Sequence, residues 1–143
     1  MNIIFVCRHN AFRSRVAEAY FKSINKNKNL KAISGGLIKG GFPSSNQIKA
    51  MKQENINLVS KPKNISADLL AKQDLTIITA DDIPLSLFDN KEYNKKVIQW
   101  KIPDVLDNNK EKAIKTIRLI KNKVQQLIKD LENKNDKWTS KRI

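Results

Sequence analysis

The sequence predicts an α/β fold: one domain over residues 1–143, a three-layer sandwich of a four-stranded parallel sheet with helices on both faces. Three observations carry this. Short β-branched runs alternate with longer segments of helical spacing. No repeat, linker or composition shift divides the chain, and 143 residues suffice to bury a core without staples. After about residue 133 the periodicity stops, so the end is expected to fray as a tail.

The elements follow in order. "NIIFVC" (2–7) reads as a buried strand that ends at Cys7 in a polar loop. In "SRVAEAYFKSI" (14–24), Val16, Tyr20 and Ile24 share one stripe, with Ala17 and Phe21 beside it, which predicts a helix. Ser14 is placed as its cap or in its first turn. "LKAIS" (30–34) is a second short strand, stopped by "GGLIKGG", where all four glycines lie within seven residues. "SSNQIKAMKQEN" (44–55) predicts a helix capped by Ser44 or Ser45, with Ile48 and Met51 inward. A short helix is expected over 66–71, strands at "LTIIT" (75–79) and "KVIQW" (96–100), then the loop "KIPDVLDNN" (101–109). Ala113, Ile117, Ile120, Val124, Leu127 and Leu131 recur at steps of three or four and predict a closing helix of about six turns.

Composition narrows the chemistry. One cysteine excludes an internal disulfide, and one cysteine with one histidine leaves too few soft ligands for a structural zinc site. No metal or cofactor is expected. The apolar run Ile3–Val6 is far too short for a signal peptide or membrane span, so the chain is expected to be cytoplasmic and free of membrane. The formal charge of +14 could suit nucleic acid, but the lysines are spread along the chain with few aromatics among them to stack bases. A solvated basic surface is the simpler reading, and nucleic acid is not an expected partner. Such a surface still draws anions.

The chemistry concentrates in "FVCRHNAFRSR" (5–15), which holds the single cysteine, the single histidine and three of five arginines. A ligand site forms beyond the carboxyl ends of parallel strands, where helix N-termini supply N–H groups and positive dipole. The five residues between Cys7 and Arg13 can curl into an anion-sized nest. Arg13 can close it with a two-pronged grip that lysine cannot make. Those surroundings favour a thiolate, and Ser14 can donate its hydroxyl to the sulfur. The plainer alternative is that Cys7 is a small buried hydrophobe at a strand end. An oxygen leaving group departs poorly unless protonated, which calls for an acid. Asp104 lies in a loop at a strand's carboxyl end, with Asp107, Asp81 and Asp82 as competitors.

Taken together, "IIFV", Cys7, Asn10, Arg13, Ser14 and "AEA" (17–19) resemble the signature of the low-molecular-weight protein tyrosine phosphatase superfamily, which includes a branch of arsenate reductases. Weaker echoes at "SGG", "SKPKNI", "DLTIITADD" and "WKIPD" follow in the same order as far as about residue 131. The resemblance implies Cys7 as nucleophile through a phosphocysteine, Arg13 as transition-state ligand and Asp104 as general acid. It implies a phosphate-binding loop of Arg8, His9, Asn10, Ala11, Phe12 and Ser14, with Asn10 holding its shape and Ser14 supporting the sulfur.

The implied activity is hydrolysis of phosphomonoesters, as a protein tyrosine phosphatase acting on a phosphorylated protein or small aryl phosphate. Inorganic phosphate or sulfate would sit in the same loop. The chain also departs from the pattern. Phe12 stands where a second cysteine is common, Asp104 is followed by Val105 rather than proline, and the expected pocket aromatic is missing from "SGGLIKGG". Phe42, Phe12 or Tyr93 are candidates to line the mouth instead. His9 has no assigned chemistry beyond its place in the loop. Two alternatives stay open: arsenate reduction with an external thiol, since no resolving cysteine exists, and a non-catalytic module binding phosphate or nucleic acid.

Overall fold

The computed structural model describes residues 1–133, and the tail expected to fray lies outside them. Strands β1 (Asn2–Cys7), β2 (Lys31–Gly36), β3 (Leu75–Ile78) and β4 (Val97–Gln99) form one parallel sheet in the order β2-β1-β3-β4. Helices α1 (Arg13–Ile24), α2 (Ser45–Gln53), α3 (Ala67–Ala71) and α4 (Lys110–Glu132) connect and cover it. The expected α/β architecture is therefore present.

β1 is apolar from Ile3 to Cys7 because both its faces are covered, the mark of a central parallel strand. Ile3 and Phe5 join Leu75 and Ile77 under α1, α2 and α4, while Ile4 and Val6 pack with Ile78, Leu70 of α3 and Phe88 on the other face. Phe5 stacks near Phe21 and Trp100 at ring separations of 6.0 and 5.8 Å. Each such fully buried side chain contributes roughly 1.5–3 kcal/mol by removal from water. Among the described residues, no helix is long and apolar enough to cross a membrane.

Two local expectations are corrected, and one left open is decided. β2 runs on through Gly35 and Gly36, beyond the stop expected after Ser34. A Cβ on Gly36 would lie 2.8 Å from the Asn10 nitrogen and the His9 carbonyl carbon, so glycine here lets the loop after β1 press against the strand. Helix α1 begins at Arg13 behind Phe12 with no side-chain cap, so of the two places expected for Ser14 it takes the first turn, where it lies buried. In α2, Ile48 points outward at 42% exposure, while Gln47, Ala50 and Met51 face inward. Residues 47, 50, 51 and 54 share a helical face, and position 48 is turned about 100° away from it.

The chain leaves β1 towards β2 on one side, and β3 later pairs with β1 on the other. The crossovers thus diverge at the carboxyl end of β1, which opens a crevice there. Cys7 ends that strand.

Candidate active site

The loop Arg8–Phe12 turns the chain from β1 into α1. Asn10 takes the left-handed conformation, φ 55°, which asparagine tolerates better than most residues. Its buried side chain fixes the turn from inside: Nδ2 donates to Ser14 Oγ (2.7 Å) and Ser34 Oγ (3.0 Å), and Oδ1 accepts from the Lys63 N–H (3.0 Å). Because Ser14 Oγ accepts from Asn10, its own hydrogen is free for the Cys7 sulfur, 2.9 Å away. The serine missing from the cap position is thus engaged at the thiol.

This network ends on Glu18, a carboxylate 1% exposed in the middle of α1. It accepts from Ser34 Oγ and Ser60 Oγ, both at 2.6 Å, and pairs with Lys22 at 2.7 Å. Burial opposes its ionisation, but the bonds from Lys22, Ser34 and Ser60 outweigh burial and hold its pKa below the usual 4.5. A carboxylate with lowered folded pKa stabilises the fold above its unfolded value and ceases to do so as pH falls through the folded one. Unfolding free energy measured with denaturant should therefore decline as pH drops below 4.5. In Glu18→Gln that part of the acid dependence should vanish, with a loss at neutral pH of about 1–3 kcal/mol, because the Lys22 left behind is solvated. Equal acid slopes in the two proteins would refute the assignment.

Arg13 is 3% exposed and aimed at the crevice. It donates through Nη1 to the Ile102 carbonyl (2.8 Å) and through Nη2 to Asp82 (3.1 Å), with Asp104 and Asp81 at 3.8 and 3.9 Å. Three carboxylates thus gather around one buried guanidinium. Arg15 turns the other way, onto the Ser60 carbonyl, and burial lowers its basicity.

A cavity of about 290 Å³ opens above this loop. Cys7, Ala11, Phe12 and Arg13 line it from the loop, with Asp104, Val105 and Leu106 on one side and Gly40, Gly41, Phe42 and Gln47 on another. Cys7 is buried among Val6, Ile78 and Ala80 and also lines the cavity, so it both packs and meets the opening. Of the four aspartates weighed from sequence, Asp104 lines the cavity. Asp107 is instead engaged with Lys112, whose hydrogen bond holds its carboxyl below the usual carboxylate range. The Arg8 side chain stands outside the cavity, exposed and 3.9 Å from Asp82. Asn10 and Ser14 lie beneath it. Phe42 and Phe12 border the opening, whereas Tyr93 packs on the opposite face of the sheet.

Two further features were not legible in the sequence. His9 lines the cavity, and its Nδ1 meets the Ile38 carbonyl at 3.0 Å, pinning the mouth segment 37–40 along the loop. Backbone bonds from Leu37, Ile38 and Gly40 to Cys7, Arg8 and His9 complete that seam. The second is Gln47. Its only sequence signal is its place three residues after Ser44, the spacing of a capping box. The two walls also meet: Asn46 bonds Asn108 through its N–H (3.1 Å) and its side chain (2.8 Å), tying α2 to the loop that carries Asp104.

A family model described as low molecular weight phosphotyrosine protein phosphatase matches residues 2–137. No curated protein matches the chain in sequence. Among solved structures, a low molecular weight protein tyrosine phosphatase from T. tengcongensis is 27% identical with a TM-score of 0.77, covering 91% of this chain and 99% of its own. A YwlE arginine phosphatase variant with a phosphorylated active-site serine is 24% identical (TM-score 0.79), with coverage of 94% and 98%. An arsenate reductase from Archaeoglobus fulgidus is 22% identical (TM-score 0.68), with coverage of 89% and 98%. These last two share the fold.

Proposed function

This chain belongs to the low molecular weight phosphotyrosine protein phosphatase family, and from that premise we propose that it hydrolyses aryl phosphates, phosphotyrosine foremost, through a phosphocysteine at Cys7. The observation that carries the proposal is the 290 Å³ cavity, where Cys7, Arg13 and Asp104 meet below the exposed side chains of Phe42 and Leu106.

The chemistry follows from the geometry. The dianion enters the loop and exchanges for the carboxylates as partner of the Arg13 fork, which suits the planar oxygens of the transition state. The Cys7 sulfur attacks phosphorus, the bond to the leaving oxygen breaks, and Asp104 gives that oxygen its proton. Water then attacks phosphorus, Asp104 takes its proton back, and the S–P electron pair returns to sulfur. Ser14 steadies the sulfur in both steps. Phe42 and Leu106, 85% and 90% exposed, offer an apolar wall to an aromatic ring.

One observation favours a second substrate. Asp81, Asp82 and Asp104 crowd Arg13 within 4 Å, and such carboxylates would also greet a cationic leaving group, as in phosphoarginine. Arsenate reduction has less support, because no second cysteine exists to receive an internal disulfide. Initial rates on matched phosphotyrosine and phosphoarginine peptides, beside arsenate with an added thiol, separate the three. Faster release of phosphate from phosphotyrosine is expected. Preference for phosphoarginine would move the substrate, and hydrolysis of neither would refute the phosphatase reading.

A further inference from the structure

We infer that Gln47 is a catalytic residue whose side-chain amide holds the water that hydrolyses the phosphocysteine. The inference rests on the proposed role of Cys7, and extends it to a residue outside the phosphate loop.

The starting point is an orientation that chemistry leaves no freedom to reverse. In the capping box at the start of α2, the Ser44 backbone N–H donates to Gln47 at 2.9 Å, and Ser44 Oγ accepts from the Gln47 N–H at 3.2 Å. An N–H cannot donate to an amide NH₂, so the Gln47 oxygen must face Ser44 and its nitrogen must face away. Gln47 is 8% exposed, and it lines the cavity together with Cys7, Arg13 and Asp104. Among the described residues its nitrogen finds no acceptor. That nitrogen is not sealed off, since Asn94 Oδ1 is the buried side-chain polar atom left without a partner among the described residues, so the Gln47 nitrogen stands open to an acceptor in the cavity that Gln47 lines. Other α2 residues on the inward face, Ala50 and Met51, are apolar core. Gln47 is thus a polar side chain on a packing face that also borders the reaction cavity, with its amide nitrogen turned away from Ser44.

What could accept them follows by elimination. The loop amides and Arg13 serve the oxygens of the phosphoryl group on the floor of the cavity. The position opposite the sulfur holds the leaving oxygen in the first step and the water in the second. Asp104 must approach the first of these as a donor, because it carries the proton to be transferred. In the second step Asp104 has become an acceptor, and a water bound to it alone would keep one unrestrained lone pair. Gln47 supplies the complementary donor. Water then gives one hydrogen to Asp104, accepts one from Gln47, and turns its remaining lone pair on phosphorus. Its oxygen forms the new P–O bond as the S–P bond breaks, and its proton passes to Asp104. The bonds of Asn46 to Asn108 hold the two contributing walls at fixed separation.

The test separates this from a capping role. Gln47→Glu keeps the cap acceptor but has no donor, and Gln47→Met removes both without adding charge. With p-nitrophenyl phosphate under rapid mixing, both variants should release the first equivalent of p-nitrophenolate at near the wild-type rate constant. Breakdown of the phosphoenzyme should then slow about tenfold to a hundredfold, as for loss of one hydrogen bond to a charged transition state. Acid-quenched, phosphorus-labelled enzyme should accumulate accordingly. Wild-type breakdown in Gln47→Glu would show that Gln47 only caps the helix, and would overturn the inference. So would equal slowing of the burst and of turnover, since Gln47 would then act on the substrate. A wild-type enzyme that forms no Cys7-dependent phosphoenzyme would refute the underlying reading as well, whereas a normal wild-type cycle with unaltered Gln47 variants refutes this inference alone.

Discussion

Cys7→Ser is expected to abolish hydrolysis of p-nitrophenyl phosphate, a loss on the order of 10⁶ in kcat as when other covalent catalysts lose their nucleophile. The substitution exchanges one buried atom at the end of β1 and leaves the scaffold intact, because Ser14, Asn10 and Ser34 keep their mutual bonds. Affinity for inorganic phosphate or tungstate should persist within a few-fold, since Arg13 and the loop amides remain. Isothermal titration of the inactive variant with tungstate checks this. An inactive protein that no longer binds the oxyanion would mean a collapsed loop rather than a missing nucleophile. A protein that still turned over would remove the sulfur from the mechanism.

The second large effect concerns Asp104. Asp104→Asn should lower kcat/KM by about 10²–10⁴, the usual contribution of a positioned acid. The loss should depend on the leaving group: greatest for phenyl phosphate, whose oxygen needs the proton, and smallest for p-nitrophenyl phosphate, whose anion is stable alone. A series of substituted aryl phosphates therefore gives a steeper dependence on leaving-group acidity in the variant. Parallel dependences would direct attention to Asp81 and Asp82, which lie within 4 Å of Arg13 and could take the role.

How far the sequence foretold these features varies by kind. β1 and α4 were readable because their apolar residues follow a simple local period, and the loop at Cys7 because rare residues cluster there. The inward face of α2 was not. Ile48 is the more hydrophobic choice, yet the capping box and packing on α4 rotate Gln47, Ala50 and Met51 inward instead. Hydrophobicity alone could not see that rotation. Nor could it see His9 meeting Ile38, since that contact depends on segment 37–40 lying along the loop. Among the four aspartates Asp104 was singled out by the family resemblance, not by hydrophobic pattern. The choice was narrowed further where β3 and β4 bring the segments after them beside Arg13, whose bond to Ile102 spans 89 positions.

The late placement of β4 has a consequence for how activity arises. This strand pairs only with β3 at the sheet's margin, and the segment that follows it carries both the carbonyl that seats Arg13 and Asp104 of the cavity wall. On the function proposed above, a chain without its final third would keep the loop at Cys7 but lack both the proton donor and the carbonyl that seats Arg13, so turnover would require that third to dock.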